Sequence, residues 1–446
     1  MANAQHAQPP VIVVGAGLAG LTAAAFLRRR GVSVRVCEAG HQIAGLAATH
    51  VDADGFSYDF GAHFITNRLA AAIGVSAACR PVVHYGEMVR LRDRTYSYPF
   101  GLMRDPHFLL SGLGARAVQL MADAPESAAD VFRLRYGAAL ANEIAIPLLE
   151  SWSGAQATDL APAVAGVLNH SVGHTVLLKL NSRLRGRAVA IGYCHELPET
   201  RYVWHVYPVG GVALLCKRLA QELEGCVELE TPVDQIFVDQ GRVVGVRANG
   251  HERPAAAVVS TAPVHVLARM VTGTDALRPM ARFRYRPMVF VNLRFTGRGH
   301  LPDTMLWTPN AGSPFFRLTE TPRSMPWLAP AGHTLITADL GCEVGDPIWR
   351  SSDEELGERC LQHLDWIPNV RRRYLGCRVV RSPVAYPVFL REYEADRQAF
   401  ARSTGVEGLY SVGRNGEFAH WLMEDVYWRS LDTMRRLLRD HVALAA

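Results

Sequence analysis

Residues 11–38 read VIVVGAGLAGLTAAAFLRRRGVSVRVCE, and their reading decides the fold. Val11 to Val14 are four apolar β-formers that run straight into Gly15-Ala16-Gly17-Leu18-Ala19-Gly20, and Leu21 to Arg30 continues as an alanine- and leucine-rich helical segment. A second short strand, Val32 to Cys37, follows Gly31 and ends at Glu38. Gly15 allows a sharp exit from the strand, Gly17 removes the side chain that would block a pyrophosphate, and Gly20 lets the helix lie close to the sheet. The helix start offers N–H groups and the positive end of a dipole to phosphates. Glu38, about 20 residues past the glycines, stands where ribose hydroxyls are held, and a carboxylate there disfavours a 2′-phosphate. A glycine turn before a helix is common on its own; strand, turn, helix, strand and acid in register point to a bound dinucleotide.

The rest of the composition bounds what surrounds this unit. A chain of 446 residues is too long for one core and suggests two interleaved domains. Hydrophobic residues at 49% and charged residues at 20% describe a globular protein. The net charge of +5 is modest and its basic residues are scattered, which does not indicate nucleic acid. Lys179 and Lys217 are the only lysines. Cys37, Cys79, Cys194, Cys216, Cys226, Cys342, Cys360 and Cys377 form no CxxC pair and stand at no zinc spacing, so buried reduced thiols of a cytoplasmic protein are expected, without metal. Residues 1–10 carry no secretory pattern, and no run of about 18 apolar residues is present, so no integral membrane segment is expected.

Past Glu38, Ala39-Gly40-His41-Gln42-Ile43-Ala44-Gly45-Leu46-Ala47 is a loop of small residues, followed by Phe56-Ser57-Tyr58-Asp59-Phe60-Gly61-Ala62-His63-Phe64. Either piece alone reads as a plain loop. Together they suggest backbone running close against a flat ligand. In this order the segments resemble the flavoprotein superfamily of amine oxidases, protoporphyrinogen oxidases, phytoene desaturases and UDP-galactopyranose mutases. There the acid is followed by a Gly-Gly-[Arg/Leu] loop beside the flavin and a D-x-G-x-H-like step; here Ala44 replaces the first glycine.

The resemblance extends along the chain. Residues 80–104 form a hairpin-like segment closed by Tyr98-Pro99-Phe100, and residues 106–181 turn helical, over Phe108 to Met121 and over Val131 to Leu149. Residues 146–160, IPLLESWSGAQATDL, are similar to a tryptophan-glycine segment of the oxidase and mutase branches without its lysine and tyrosine; Trp152 reads as core or as a substrate contact, with core favoured. Tyr207-Pro208-Val209-Gly210-Gly211 precedes an amphipathic helix. Residues 230–246 alternate as a β-hairpin around Gly241, which resembles the family hairpin whose valine pairs its backbone with adenine, a role that falls to Val233. Ala255 to Ser260 is a strand ending at Thr261. Residues 283–400 alternate β-like runs with one helix, Asp353 to Leu364, and Arg391 to Arg397 reads as an exposed mixed-charge segment. The closure, Gly408 to Asp425, contains Gly413-Arg414-Asn415-Gly416 and places Met423 and Glu424 where the family has Met or Gln and Asp, and His420 where it has Tyr.

These features imply an α/β fold: a Rossmann-like FAD-binding domain of GR2 type, a parallel sheet in three layers, interleaved with an α+β substrate domain that has an antiparallel sheet and a helical cap. The implied division is 1–79, 206–282 and 401–446 for the first and 80–205 and 283–400 for the second. Noncovalent FAD is expected, because no cysteine lies in the C-terminal segment. The resemblance implies cofactor contacts at Gly15, Gly17, Leu18, Ala19, Gly20, Glu38, Ala39, Gly45, Leu46, Gly61, Ala62, His63, Val233, Thr261, Gly413, Arg414, Met423 and Glu424.

His63 and Arg414 are the candidates for the active site, Arg414 by placing positive charge beside reduced flavin. Tyr207, His205, Trp307, Tyr386, His420 and Trp421 are candidates for a substrate pocket. The expected activity is hydride transfer from a small-molecule C–H or C–N centre to FAD, with reoxidation by oxygen or another acceptor. The strand Met288 to Phe295 carries Asn292 and Arg294 where amine oxidases hold a lysine, which weakens simple amine oxidation. A mutase-like isomerase using reduced flavin would need arginines for a diphosphate, with Arg80, Arg183, Arg185 and Arg317 as candidates. A non-catalytic protein like the Rab GDP dissociation inhibitors is disfavoured by the intact glycines and Glu38. Oligomeric state is left open.

Overall fold

The computed structural model describes residues 8–98, 100–119, 123–168, 172–310 and 312–440; Pro99 and Met121 lie outside them. The strand Val11–Val14 is buried on both faces, and its alternation feeds two different cores. Val11 and Val13 point into a core shared with the helices Leu18–Arg28 and Met423–Asp440. Ile12 and Val14 point into a core shared with the Val233–Asp239 and Arg242–Ala248 hairpin. Full burial of each such side chain stabilises by about 1.5–3 kcal/mol, and covering both faces is what a parallel sheet of near-continuous apolar strands requires. The result is three layers: helices, a parallel sheet, and a second sheet.

The parallel sheet has the order Val227–Glu228, Val34–Cys37, Val11–Val14, Ala257–Ser260, Leu409–Ser411, with every neighbouring pair parallel. Its strands are thus drawn from the start, middle and end of the chain. The second strand begins at Val34 rather than Val32.

A seven-stranded sheet runs in the order Tyr374–Val388, Arg284–Thr296, His333–Gly341, Arg317–Thr319, Met305–Trp307, Glu87–Leu91, Arg94–Ser97. On the Arg284–Thr296 strand, Val289, Val291, Leu293 and Phe295 enter a core closed by the helix Asp353–Leu361. Met288 and Phe290 face the other way, toward Phe60, Trp152 and Trp307. The expected hairpin of residues 80–104 is present, but it extends this sheet through a parallel pairing of Glu87–Leu91 with Met305–Trp307. Docking the hairpin there satisfies an edge that would otherwise expose unpaired backbone groups.

The helical region differs from its periodicity. Val131 to Leu149 is not one helix: Ala128–Tyr136 stops at Gly137, and Ala138–Leu140 and Ala141–Ala145 lead into Ile146–Ser153. Gly137 has φ +83°, and a Cβ there would lie 2.4 Å from the backbone of Ser111, so the break is where the neighbouring helix Pro106–Gln119 crosses. Arg391–Tyr393 and Glu394–Arg402 are helical turns rather than a plain exposed segment, anchored by the buried Tyr393, whose hydroxyl donates to the Val388 carbonyl. The eight cysteines are unpaired, and Cys79 and Cys377 are only half-buried.

Candidate active site

The glycine turn is held by the residues around it. Gly15 has φ +99°, and a Cβ would meet the Thr261 hydroxyl oxygen at 2.1 Å, so only glycine fits. Thr261 itself donates its hydroxyl to the Val14 carbonyl at 2.8 Å, which gives it a structural part in shaping the turn. A Cβ on Gly20 would meet the Gly15 carbonyl oxygen at 2.0 Å, the close helix–strand approach expected. Gly17 is different: the nearest atom to an added Cβ is the Ala44 carbonyl oxygen at 3.9 Å, which leaves an uncrowded face.

Glu38 turns back to this cradle. Its carboxylate accepts the N–H of Ala16 at 2.6 Å and of Gly40 at 2.8 Å. The Thr231 N–H donates to the Glu38 carbonyl and the Glu230 N–H to that of Gly40, which brings the start of the Val233–Asp239 strand alongside the acid. On the other side Ala44 bridges to Gly17 and donates to the Ala16 carbonyl, ahead of the turn Gly45–Ala47. Ala44 holds φ +90°, the conformation a glycine adopts at no steric cost. The structure therefore brings Gly15 to Gly20, Glu38 and Gly45 together, with the chain leading into Val233 alongside.

A second cluster lies on the far side. Cross-strand register lines up Phe290, Asp339, Arg317 and Trp307 on four neighbouring strands. Arg317 donates through both Nε and Nη2 to Asp339, at 2.8 Å for Nε, and lies over the Trp307 ring at 5.4 Å. Trp307 donates to Glu87 at 3.0 Å, and Tyr85 donates to the other oxygen of Glu87 at 2.6 Å. Burial works against the charge of Arg317, but the adjoining Asp339 outweighs it and holds the guanidinium above the ordinary arginine range. A Cβ on Gly61 would touch Phe290 at 3.0 Å and Arg317 at 3.4 Å, so the D-x-G-x-H step runs against this row.

His63 and Arg414 meet here. Burial, then the charges of Arg414 and Arg317, lower His63 to about 4, which leaves it neutral at neutral pH; its Nδ1 faces the Asp59 carboxyl at 3.8 Å, beyond hydrogen-bond distance. Arg414 is packed 4.5 Å over the Tyr386 ring, and its Nε has no partner. Among the described residues no carboxylate pairs with it, and burial weakens its charged form. His63, Arg317 and Arg414 lie deep in the molecule, yet the side chains of His63 and Arg317 stay 20% and 14% uncovered, as side chains lining an internal hollow do. Trp152 packs between Tyr386 and His420 at 5.1 and 4.7 Å and lies partly buried against two hydrophobic clusters, so it borders both the core and this group of side chains. His420 is buried with both ring nitrogens unpartnered and held well below the ordinary histidine range by burial and by Arg414. Unpartnered buried polar groups are rare and call for a missing partner; four atoms of this kind on His63, Arg414 and His420 converge here.

Asp59 anchors the step. It accepts from the Tyr207 hydroxyl and, at 2.7 Å, from Thr49, and burial raises its carboxyl to about 7 against those two bonds. Tyr207 is thus a structural joint. His205 is buried among Phe64, Tyr85 and Tyr193. Trp421 turns to Glu417 and Arg429. The Glu424 carboxylate is engaged by Arg68, Thr66 and Trp428, which leaves only its backbone for the helix start at Met423. Of the candidate arginines, Arg317 joins the site, whereas Arg80, Arg183 and Arg185 are exposed. Asp339, Glu87, Tyr85 and Phe290 escaped the sequence reading, because strand register across residues 87–341 carries no local pattern.

The two ends of the chain meet between the clusters. Gly413 has φ +88° and its added Cβ would lie 2.7 Å from that of Ala19, so the Gly413–Gly416 turn sits against the first helix. The cradle, with one uncrowded glycine, and the row of unpartnered polar groups fit a long cofactor anchored at one end by its phosphates and at the other by a polar ring.

The same architecture occurs in solved structures. A reduced UDP-galactopyranose mutase shares 17% identity over 98% of both chains with a TM-score of 0.79. Cyclohexylamine oxidase from Brevibacterium oxydans IH-35A shares 16% over 97% of this chain and 99% of its own, with a TM-score of 0.72. A mutant of putrescine oxidase shares 14% over the same fractions, with a TM-score of 0.69. The family described as flavin containing amine oxidoreductase matches residues 18–427, so the chain belongs to that family and its cofactor is FAD.

Proposed function

We propose that the chain is an FAD-dependent oxidoreductase that takes hydride from a C–H or C–N centre of an anionic small-molecule substrate, with oxygen or another acceptor restoring the cofactor. The observation that carries this reading is Arg414, a deep guanidinium with an unpartnered Nε and no carboxylate among the described residues. A buried charge without a counterion is costly. Its natural complement is negative charge brought by the reduced ring or by substrate.

FAD bound in this fold supplies a hydride acceptor. Gly15, Gly17, Gly20, Glu38 and Val233 would hold its adenosine diphosphate end, with Ala39, Gly45, Leu46, Gly61, Ala62 and the Gly413 to Glu424 closure along its length. The residues 1–79, 206–282 and 401–446 would form that unit. Arg414 and Arg317 would orient an anionic substrate, and Trp152, Trp307 and Tyr386 would exclude water around it. His63, neutral at neutral pH, would offer Nδ1 as a hydrogen-bond partner. The unpaired Arg414 guanidinium works against a protonated amine, in keeping with the absence of lysine from the Arg284–Thr296 strand.

The same two arginines favour a second reading, an isomerase that uses reduced FAD on a sugar diphosphate. Anaerobic mixing separates the two. Bleaching of oxidised flavin by an anionic substrate supports oxidation; turnover of a sugar nucleotide only after dithionite reduction supports the isomerase. Bleaching by simple cationic amines alone would overturn the anionic assignment.

A further inference from the structure

Large apolar side chains left exposed are scattered singly over most of the described surface, as on any protein. Two helices collect them: Leu109, Leu110 and Leu113 on Pro106–Gln119, and Leu177, Leu180 and Leu184 on Val172–Arg185. Leu184 is 85% exposed, too much for a residue that packs within the fold. At about 100° per residue the second trio forms one stripe about 60° wide, with Arg183 on one side and Arg185 on the other. Leu178, turned away from the stripe, is buried, so the helix already has its inward face elsewhere.

Beyond the helix end the cations continue. Arg187 lies 4.6 Å over the Trp204 ring, and Arg185 and Arg201 flank the Tyr202 ring at 5.1 and 5.0 Å. Arg185, Arg187, Arg201, Val189 and Trp204 line a hollow of about 280 Å³. The stretch from Leu160 to His195 contains no Asp or Glu, and it carries Lys179, Arg183, Arg185 and Arg187. The first acids after it are engaged: Glu196 by Arg429, and Glu199 by the N–H groups of residues 192–194.

A leucine stripe bordered by guanidiniums, with an aromatic and cationic hollow at its end, complements one kind of surface. Leucines enter the acyl boundary of a bilayer while arginines meet its phosphates. A second copy of the chain would bring these cations against themselves. We infer that the Val172–Arg185 helix and the adjoining arginine hollow dock on an anionic lipid bilayer, on which the molecule lies without spanning it. No described helix is long and apolar enough to cross a membrane. Lys179 of this helix donates to the Tyr98 carbonyl at 2.7 Å, which ties the helix to the chain just past the Arg94–Ser97 strand.

Flotation of the holoprotein with vesicles tests this, comparing phosphatidylcholine alone with phosphatidylcholine containing phosphatidylglycerol. Binding to the anionic vesicles only is expected, unaffected by inorganic phosphate. The Leu180→Ser/Leu184→Ser and Arg183→Gln/Arg185→Gln pairs, both at exposed positions, should each weaken it at least about fivefold with an unchanged flavin spectrum. Absence of binding, or equal binding to both vesicles, overturns the inference. So does binding that the leucine pair leaves intact, competition by inorganic phosphate, which would mark a soluble-anion site, or a dimer in sedimentation that the leucine pair dissolves.

Discussion

On the proposed function, Arg414 is the residue on which the chemistry would turn. Its backbone belongs to the closing turn, whereas its guanidinium reaches Tyr386, beside His63 and Arg317. Arg414→Gln should therefore keep FAD bound and slow anaerobic flavin reduction by about 10²–10³-fold, the usual cost of losing one charge-stabilising group. Stopped-flow reduction beside an unchanged visible spectrum checks both halves. Asp59 gives a pH signature. The folded chain keeps its proton up to about 7 while the unfolded chain releases it near the ordinary aspartate value, so its contribution is full at the acid end and is lost as pH rises to about 7. His63 runs the other way: lowered to about 4, its contribution is present above the ordinary histidine value and lost as pH falls through that window. Asp59→Asn removes the first effect, so melting temperatures should favour the variant more at about pH 8 than at about pH 5. An equal difference at both would contradict the assignment. Ala44 holds a glycine conformation, and Ala44→Gly should change stability by less than about 1 kcal/mol, strain relief offsetting chain entropy; denaturant melts measure it.

At the scale of elements, legibility followed locality. The strand, glycine turn, helix and acid of residues 11–38, and the hairpin around Gly241, are built from neighbours in sequence, so periodicity and turn chemistry announce them. The closing turn at Gly413 was readable through its resemblance. Gly137 was not, since the break it makes in the helix exists only because another helix crosses there. Arg317 stood among several arginines with nothing in the sequence to separate it from Arg80, and only the register that sets it beside Asp339 does so. Glu424 illustrates the reverse case: its position was readable, but the commitment of its carboxylate to Arg68 depends on a helix more than 350 residues away. Gly413→Ala puts a methyl 2.7 Å from that of Ala19 at a positive φ, so it should cost about 2–4 kcal/mol and release FAD. Gly210→Ala, with nothing within 4 Å, should do neither, and thermal melts with bound-flavin absorbance compare the two.

Over the whole molecule, the strands of the parallel sheet come from the start, middle and end of the chain; Phe290, Asp339, Arg317, Trp307 and Tyr386 come from the seven-stranded sheet, and Arg414 from the closing turn. On the proposed function, residues 11–38 would anchor the cofactor without choosing the reaction. That choice would rest with Arg317 and Arg414, which lie 97 positions apart in sequence and meet only in the fold. The central claim is that this interleaving encloses FAD beside two guanidiniums. The visible spectrum of the purified protein, recorded before and after adding FAD and then after anaerobic mixing with anionic substrates, tests it most directly. Flavin bands that bleach on mixing are the predicted result. A protein without flavin bands that gains none when FAD is supplied would contradict the account.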